Sequence, residues 1–307
     1  MAKVLEKDLN SISEQIELNR ENSYDVIKPP TVNVLGLPFA NLTANEMVER
    51  IKYFVNQETK DNLFIVTANP EIAHYAYSNN HYQRRIKHAD YIVPDGIGIV
   101  KAAKYLNTPL KERVPGIELM EEMLNIANAS SKRVFLLGSS KEGVKATRKI
   151  LEEQYPNITF DHKHGYKHVL DYKVTKKIKK FNPDFIFAAM GFPKQEDWIY
   201  YNRHHFEHTV MMGVGGSFDV ISGNVKRAPK MFIKLNLEWL YRIITDLKRV
   251  NRALKIPLFL KEVQFQKSCT PKKNKYDYMK NRKFRNILML KFNIKVFFYE
   301  EFYLFNC

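Results

Sequence analysis

Apolar residues along this chain follow two different patterns. Five short runs, "NLFIVTANP", "ADYIVPDG", "KRVFLLGSS", "PDFIFAAMGFP" and "HTVMMGVGGS", are almost continuously apolar and end in Gly, Pro, Ser, Asp or Asn. Each predicts a buried strand followed by a turn. Between them lie longer amphipathic stretches, "EIAHYAYSNNHYQRRIKH", "GIELMEEMLNIANAS" and "KEGVKATRKILEEQY", which predict helices. Strand, turn and helix recurring in this order predict an α/β fold: a mainly parallel sheet with helices on both faces, Rossmann-like in type. From Lys230 to Lys255, Phe232, Leu235, Trp239, Ile243, Leu247, Val250 and Leu254 stand three or four apart and predict one long helix. On its wheel Arg242, Arg249 and Arg252 fall within roughly 80° of one another, a cationic stripe.

The same pattern divides the chain. Residues 1–30 are charged throughout, lack the apolar core of a secretory signal and read as a loose extension. Residues 31–225 form the α/β domain, 226–262 a basic helical appendage, and 263–307 a tail that is basic first and aromatic after. A chain of 307 residues with 45% hydrophobic content can bury a full core. The late stretch "ILMLKFNIKVFFYEEFYLF" is broken by Lys291, Lys295, Glu300 and Glu301. A spanning helix needs about 20 largely uncharged residues, so no membrane crossing is expected.

Charge sharpens this division. Of the net +16, residues 222–262 and 263–307 carry +7 each, leaving +2 for the first 221. The carboxyl-terminal third therefore points to an anionic partner, lipid headgroups or nucleic acid, with a solvated basic tail as the plainer alternative. Only Cys269 and Cys307 are present, which excludes a disulfide framework and suits a reducing cytoplasm.

Candidate chemistry lies in the strand exits, because ligands of open α/β sheets bind at the carboxyl ends of the strands. "VPDG" leaves Asp95 at such an end, although Asp-Gly is also what a tight turn wants. "GSSKEG" has the outer spacing of a P-loop but lacks its Lys and Ser/Thr. "GVGGSFD" puts Phe218 where a dinucleotide fingerprint needs its third glycine. Nucleotide hydrolysis and hydride transfer are thereby disfavoured, while glycine exits still let backbone N–H groups approach an anion such as a nucleotide diphosphate.

Taken in order, "FIVTANPEI", "VPDGIGIV", "RVPGIELMEEM", "VFLLGSS", "HGY", "MGFPKQEDWI" and "GVGGSFDVISGNVKRAPKMFIKLNLEWLYRII" resemble the WecG/TagA/CpsF glycosyltransferases. The likeness runs from about Val32 to about Glu262 and is nearest to the wall teichoic acid enzymes. It implies inverting transfer of N-acetylmannosamine from UDP-ManNAc to the 4-hydroxyl of GlcNAc-diphospho-undecaprenol, forming a β-1,4 linkage. Single displacement needs a base on the acceptor hydroxyl and stabilisation of departing UDP. Asp95 is the expected base, since a partly desolvated carboxylate can have its pKa raised toward neutrality.

The resemblance places Thr67 and Asn69 in the cleft, where a Thr/Asn turn is the alternative, and gives Arg113 the diphosphate, where a surface ion pair is the alternative. Gln195 would bond sugar or phosphate oxygens, unless it and its acidic neighbours only start a helix. The UDP-sugar contacts it implies are Gly138, Ser139, Tyr166, Gly191, Lys194, Gly215, Gly216 and Asp219, the last also readable as an ordinary helix acid. The appendage would lie against the inner face of the cell membrane and bring Arg242, Arg249 and Arg252 to the lipid diphosphate, making the enzyme cytoplasmic and peripheral. Asp246-Leu247 stands where relatives often carry proline, which leaves the appendage's shape open. No Asp-x-Asp pair is present, so neither metal nor cofactor is expected. Alternatives are another UDP-sugar on the same fold, glucose or N-acetylmannosaminuronic acid, and, distantly, nucleic-acid binding. The latter would not need "GFPKQEDWI", and no nucleic-acid motif is present. The oligomeric state is left open, a homo-oligomer included.

Overall fold

The computed structural model describes residues 29–165, 169, 171–234, 237–245 and 255–269. The expected extension at 1–30, apart from Pro29 and Pro30, and the tail beyond Cys269 lie outside these. The described chain opens on an antiparallel hairpin, β1 (Thr31–Val34) and β2 (Leu37–Ala40), in which Thr31 faces Ala40 and Val34 faces Leu37. Helix α1 (Ala44–Val55) follows behind a capping box, in which the Thr43 hydroxyl accepts from Glu46 N–H and the Glu46 carboxylate accepts from Thr43 N–H.

All five predicted strands form: β3 (Leu63–Ala68), β4 (Tyr91–Pro94), β5 (Arg133–Gly138), β7 (Phe185–Ala189) and β8 (Val210–Gly213). A sixth, β6 (Thr159–Lys163), was not expected, because "TFDHK" is an edge strand with one buried side chain, Phe160, and no apolar run. The sheet runs β4-β3-β8-β7-β5-β6 with every pairing parallel, so all six carboxyl ends emerge at one edge.

Alternation along the central strands creates two cores. Phe64 and Val66 of β3, Phe135 and Leu137 of β5, and Ile186 and Ala188 of β7 join one apolar cluster. Leu63, Ile65, Val134, Leu136, Phe185 and Phe187 join the other. The first face is covered by α2 (Pro70–Ser78), α3 (Asn80–Lys87), α4 (Ile97–Tyr105), α7 (Tyr172–Phe181) and α8 (Lys194–Asn202). The second is covered by α1, α5 (Gly116–Ala129), α6 (Lys141–Gln154) and the short α9 (Ser217–Ile221). This is the expected doubly covered sheet.

Three expectations need correction. The stretch before β4 is two helices rather than one: Asn79 is extended, and its side chain accepts from Tyr82 N–H to cap α3. The long helix from Lys230 is interrupted, forming α10 (Lys230–Lys234) and α11 (Glu238–Thr245). Leu237 N–H reaches back to Phe232 C=O at 2.8 Å, and the Leu237 carbonyl then accepts from Tyr241 N–H and starts the next helix. Residues 246–254 lie outside the described chain. Finally, α12 (Lys255–Cys269) runs across the boundary expected at 262/263, because Phe259 and Val263 on its inner side are both buried against the first core.

Candidate functional site

Just beyond their last pairings β3, β4, β5 and β6 deliver the polar residues Asn69, Asp95, Ser139 and His164, whereas β7 and β8 pass through buried Met190 and Val214 before reaching Gly191 and Gly215. Asp95 follows Pro94, the last residue of β4, and its N–H donates to Ala68 C=O of β3 at 3.1 Å. Its Oδ1 accepts from Gly116 N–H at 2.9 Å, which places the carboxylate at the amino terminus of α5. That bond fixes the direction of the carboxylate. Asp95 is thus a turn residue and a residue of the mouth at once.

Thr67 crowds the start of α5. A Cβ on Gly116 would stand 3.0 Å from Thr67 Oγ1 and 3.2 Å from its Cβ, so the bare backbone of glycine lets α5 reach Asp95 without displacing Thr67. The Thr67 hydroxyl donates to Gly213 C=O of β8 at 3.3 Å, joining two strand ends. Asn69 caps α2, its Oδ1 accepting from Ile72 N–H at 3.0 Å, and so fulfils the turn reading. Among the described residues its Nδ2 donates to nothing, which leaves the amide nitrogen available in a half-buried position. Arg113 is half-buried, and no described residue pairs with it. Its neighbour Val114 donates N–H to Pro94 C=O at 2.9 Å, so the arginine is tethered one residue from the strand end that carries Asp95.

The opposite flank is built differently. Gln195, at the start of α8, is 4% exposed. Its Oε1 accepts from Gly191 N–H at 3.1 Å and Gly215 N–H at 3.0 Å, and its Nε2 donates to Glu196 Oε1 at 2.7 Å. The amide expected to reach out to sugar or phosphate instead ties the β7 exit to the β8 exit. Gly213 is required beneath it, since a Cβ there would lie 2.5 Å from Gln195 Nε2. Ser139, buried at the end of β5, donates its hydroxyl to Asp219 Oδ1 at 3.4 Å, linking that strand to α9. Gly138 is buried beside Ser139, Gly216 stands half-buried at the head of α9, and Lys194 is exposed at the head of α8. Tyr166, Arg249 and Arg252 lie outside the described residues; Arg242 belongs to α11.

Sequence reasoning missed Glu196. Read as an acid of a helix start, it is 2% exposed, and burial pushes its carboxyl up to about 7 against the opposing bond from Gln195. Its signal was the largely aromatic run that follows: Trp198, Ile199, Tyr200 and Tyr201 are all buried, so most of α8 is enclosed and Gln195 and Glu196 are enclosed with it, although Lys194 is exposed and Asp197 half-buried. Two sets of side-chain contacts also went unseen. Arg227 reaches Glu118 at 3.4 Å and Glu121 at 3.2 Å on α5. On α12, Lys255 meets Glu71 at 3.3 Å and Glu262 meets His74 at 2.9 Å, both on the helix that Asn69 caps.

A model of the glycosyl transferase WecG/TagA/CpsF family matches residues 32–273. The N-acetylglucosaminyldiphosphoundecaprenol N-acetyl-beta-D-mannosaminyltransferase of Staphylococcus aureus strain NCTC 8325 / PS 47 is 52% identical over 232 residues, covering 76% of this chain and 91% of that protein. The protein of the same name from strain MRSA252 is 50% identical with the same coverage.

Proposed function

The chain belongs to the WecG/TagA/CpsF glycosyltransferase family, and from that premise we propose that it transfers N-acetylmannosamine from UDP-ManNAc to the 4-hydroxyl of GlcNAc-diphospho-undecaprenol in teichoic acid synthesis. The Staphylococcus relatives carry this acceptor and this sugar in their names. The observation that carries the reading is Asp95: a carboxylate at the end of β4, held by α5, at the edge where the exits of β3, β5, β7 and β8 converge.

In the reaction proposed, the acceptor O4 attacks the anomeric carbon from the face opposite UDP and gives its proton to the Asp95 carboxylate. The new C–O bond forms as the bond to the β-phosphate oxygen breaks, and UDP leaves with that electron pair. One displacement converts the α-linked donor to a β-1,4 product. Arg113, a half-buried guanidinium with no described partner, suits the departing diphosphate, because its fixed fork matches phosphate oxygens. The Asn69 amide nitrogen can donate to a sugar or phosphate oxygen from the same flank. The glycine exits of β7 and β8, with Asp219, would receive the nucleotide end. We assign no metal to the step; full turnover in EDTA supports this, and loss restored by Mg²⁺ or Mn²⁺ overturns it.

An acceptor held in a bilayer requires the enzyme at the membrane surface. No described helix is long and apolar enough to cross a membrane. Met231, Trp239, Ile244, Leu258, Leu260 and Phe265 stand exposed on α10, α11 and α12 in the basic part of the chain. Apolar side chains set among cations suit peripheral contact with an anionic leaflet, on the cytoplasmic side where the nucleotide donor is made. The deciding experiment sets UDP-ManNAc, UDP-glucose and UDP-N-acetylmannosaminuronic acid against a lipid-diphospho-GlcNAc analogue. Turnover with UDP-ManNAc alone is expected; preference for either other sugar replaces the donor assignment.

A further inference from the structure

Among the described residues three buried side-chain atoms have no partner at hydrogen-bond distance: Glu196 Oε2, the Tyr82 hydroxyl, which faces the Glu196 carboxyl, and Trp198 Nε1. All three belong to α8 or to α3, which packs against it. A carboxyl enclosed this fully is costly, and a residue of the same shape without charge would avoid the cost. Something must offset it, and the bond network around Gln195 supplies the reason.

A glutamine amide has an oxygen end and a nitrogen end of nearly equal shape, and only its neighbours choose between them. Here Oε1 must face two backbone donors, Gly191 N–H and Gly215 N–H. A flipped amide would turn its NH₂ toward both. Glu196 Oε1 prevents this by accepting from Nε2 at 2.7 Å. It cannot donate in that role while ionised, and even when protonated on the other oxygen it remains an acceptor at Oε1. We propose that Glu196 is a positioning residue. It holds the Gln195 amide in the single orientation that ties the β7 and β8 exit loops together, and thereby sets the shape of the floor on which the nucleotide rests.

The two loops so tied face open space. A Cβ placed on Gly191 or on Gly215 would meet nothing within 4 Å, although both lie next to buried strand ends. A contact that fixes them therefore fixes the floor of the cleft and not merely the core. Glu196 itself touches no substrate in this arrangement; it acts through Gln195. Arg85 does not satisfy it, since that guanidinium is already engaged by Asp197 in a two-point pair of 2.7 and 3.2 Å. The proposal rests on the nucleotide reading above for its link to binding, though the loop tie itself does not depend on it.

The test uses the full chain with Glu196→Leu, which removes the acceptor, Glu196→Asp, which withdraws it by one methylene should the leucine variant fail to fold, and Glu196→Gln, which restores an acceptor without charge. Amide exchange at Gly191 and Gly215 and UDP affinity by calorimetry are both read. Leu or Asp is expected to quicken exchange at the two glycines about tenfold and weaken UDP by a similar factor, as loosening of two hydrogen bonds allows. Gln is expected to recover both. Unchanged exchange in the Leu and Asp variants overturns the proposal whatever happens to UDP. Quickened exchange with undiminished UDP affinity overturns its link to binding. A wild-type chain that binds no UDP while exchange responds as expected supports the loop tie and removes the nucleotide reading instead.

Discussion

On the β3–β4 flank of the sheet edge, Asn69 Nδ2 and the Arg113 guanidinium keep donors that no described residue takes, and the Asp95 carboxylate accepts from Gly116 N–H at a helix end. On the β7–β8 flank, Gln195 commits both ends of its amide inward, Glu196 is enclosed beneath it, and glycines form the surface. The same sheet edge thus carries one flank that offers polar groups to a ligand and one that uses them to hold backbone in place. Substitutions on the first flank should change the rate at nearly constant stability and binding. On the second, substitutions that break the Gln195 contacts should change stability and nucleotide affinity together.

Asp95→Asn is the largest break to attempt. It keeps the oxygen that accepts from Gly116 N–H, so the fold and UDP affinity should stay near wild type, whereas losing the base should lower kcat about 10²- to 10⁴-fold. If steady-state turnover falls less than tenfold, the flank does not carry the base.

Glu196→Gln sharpens the other flank through pH. Burial raises this carboxyl from 4.5 to about 7, with Tyr82 and Asp197 facing it and Arg85 paired to Asp197. Between those values the folded chain holds a proton that the unfolded chain has released, so the wild type loses stability as pH rises through the window and regains it below. Removing the charge should cancel this slope and make the variant more stable above pH 7 by on the order of 3 kcal/mol. Chemical denaturation at pH 5 and pH 8 measures it; equal differences at the two pH values would show that the carboxyl is not the source.

Gly213→Ala comes next. The new methyl would stand 2.5 Å from Gln195 Nε2, and overpacking of this kind costs about 1–3 kcal/mol. The same variant should weaken UDP severalfold if the amide it displaces ties the floor proposed for the nucleotide. Full stability with full affinity would mean that the two loops are not coupled through Gln195.

How much of this contrast the chain's pattern carries depends on what each residue is doing. The five apolar runs marked their strands because a strand covered on both faces needs apolar residues at successive positions. The edge strand β6 did not announce itself, since only Phe160 is buried. Asp95 and Gln195 were read from strand ends, and Thr67, Asn69 and Arg113 came with the family resemblance; the structure brings each to or beside the end of a strand at one edge. What spacing could not supply was direction. Asn69 and Gln195 follow strands in the same way, yet one amide keeps its nitrogen unbound and the other is wholly engaged. That difference arises from how α2 and α8 pack, α8 being buried along most of its length, and no local pattern around Gln195 encodes it except the aromatic run downstream.

Thr67 stands between the flanks and gives the smallest effect and the finest discrimination. Its hydroxyl donates to Gly213 C=O at 3.3 Å, so it belongs to the first flank by strand and to the second by bonding. If that bond is its work, Thr67→Val should cost about 1 kcal/mol of stability and lower kcat no more than about tenfold, because one neutral hydrogen bond is lost and the shape is kept. A hundredfold loss of kcat at unchanged stability would instead set the hydroxyl against the reacting sugar, and the boundary between the flanks would move across β3 to the carbonyl of Gly213.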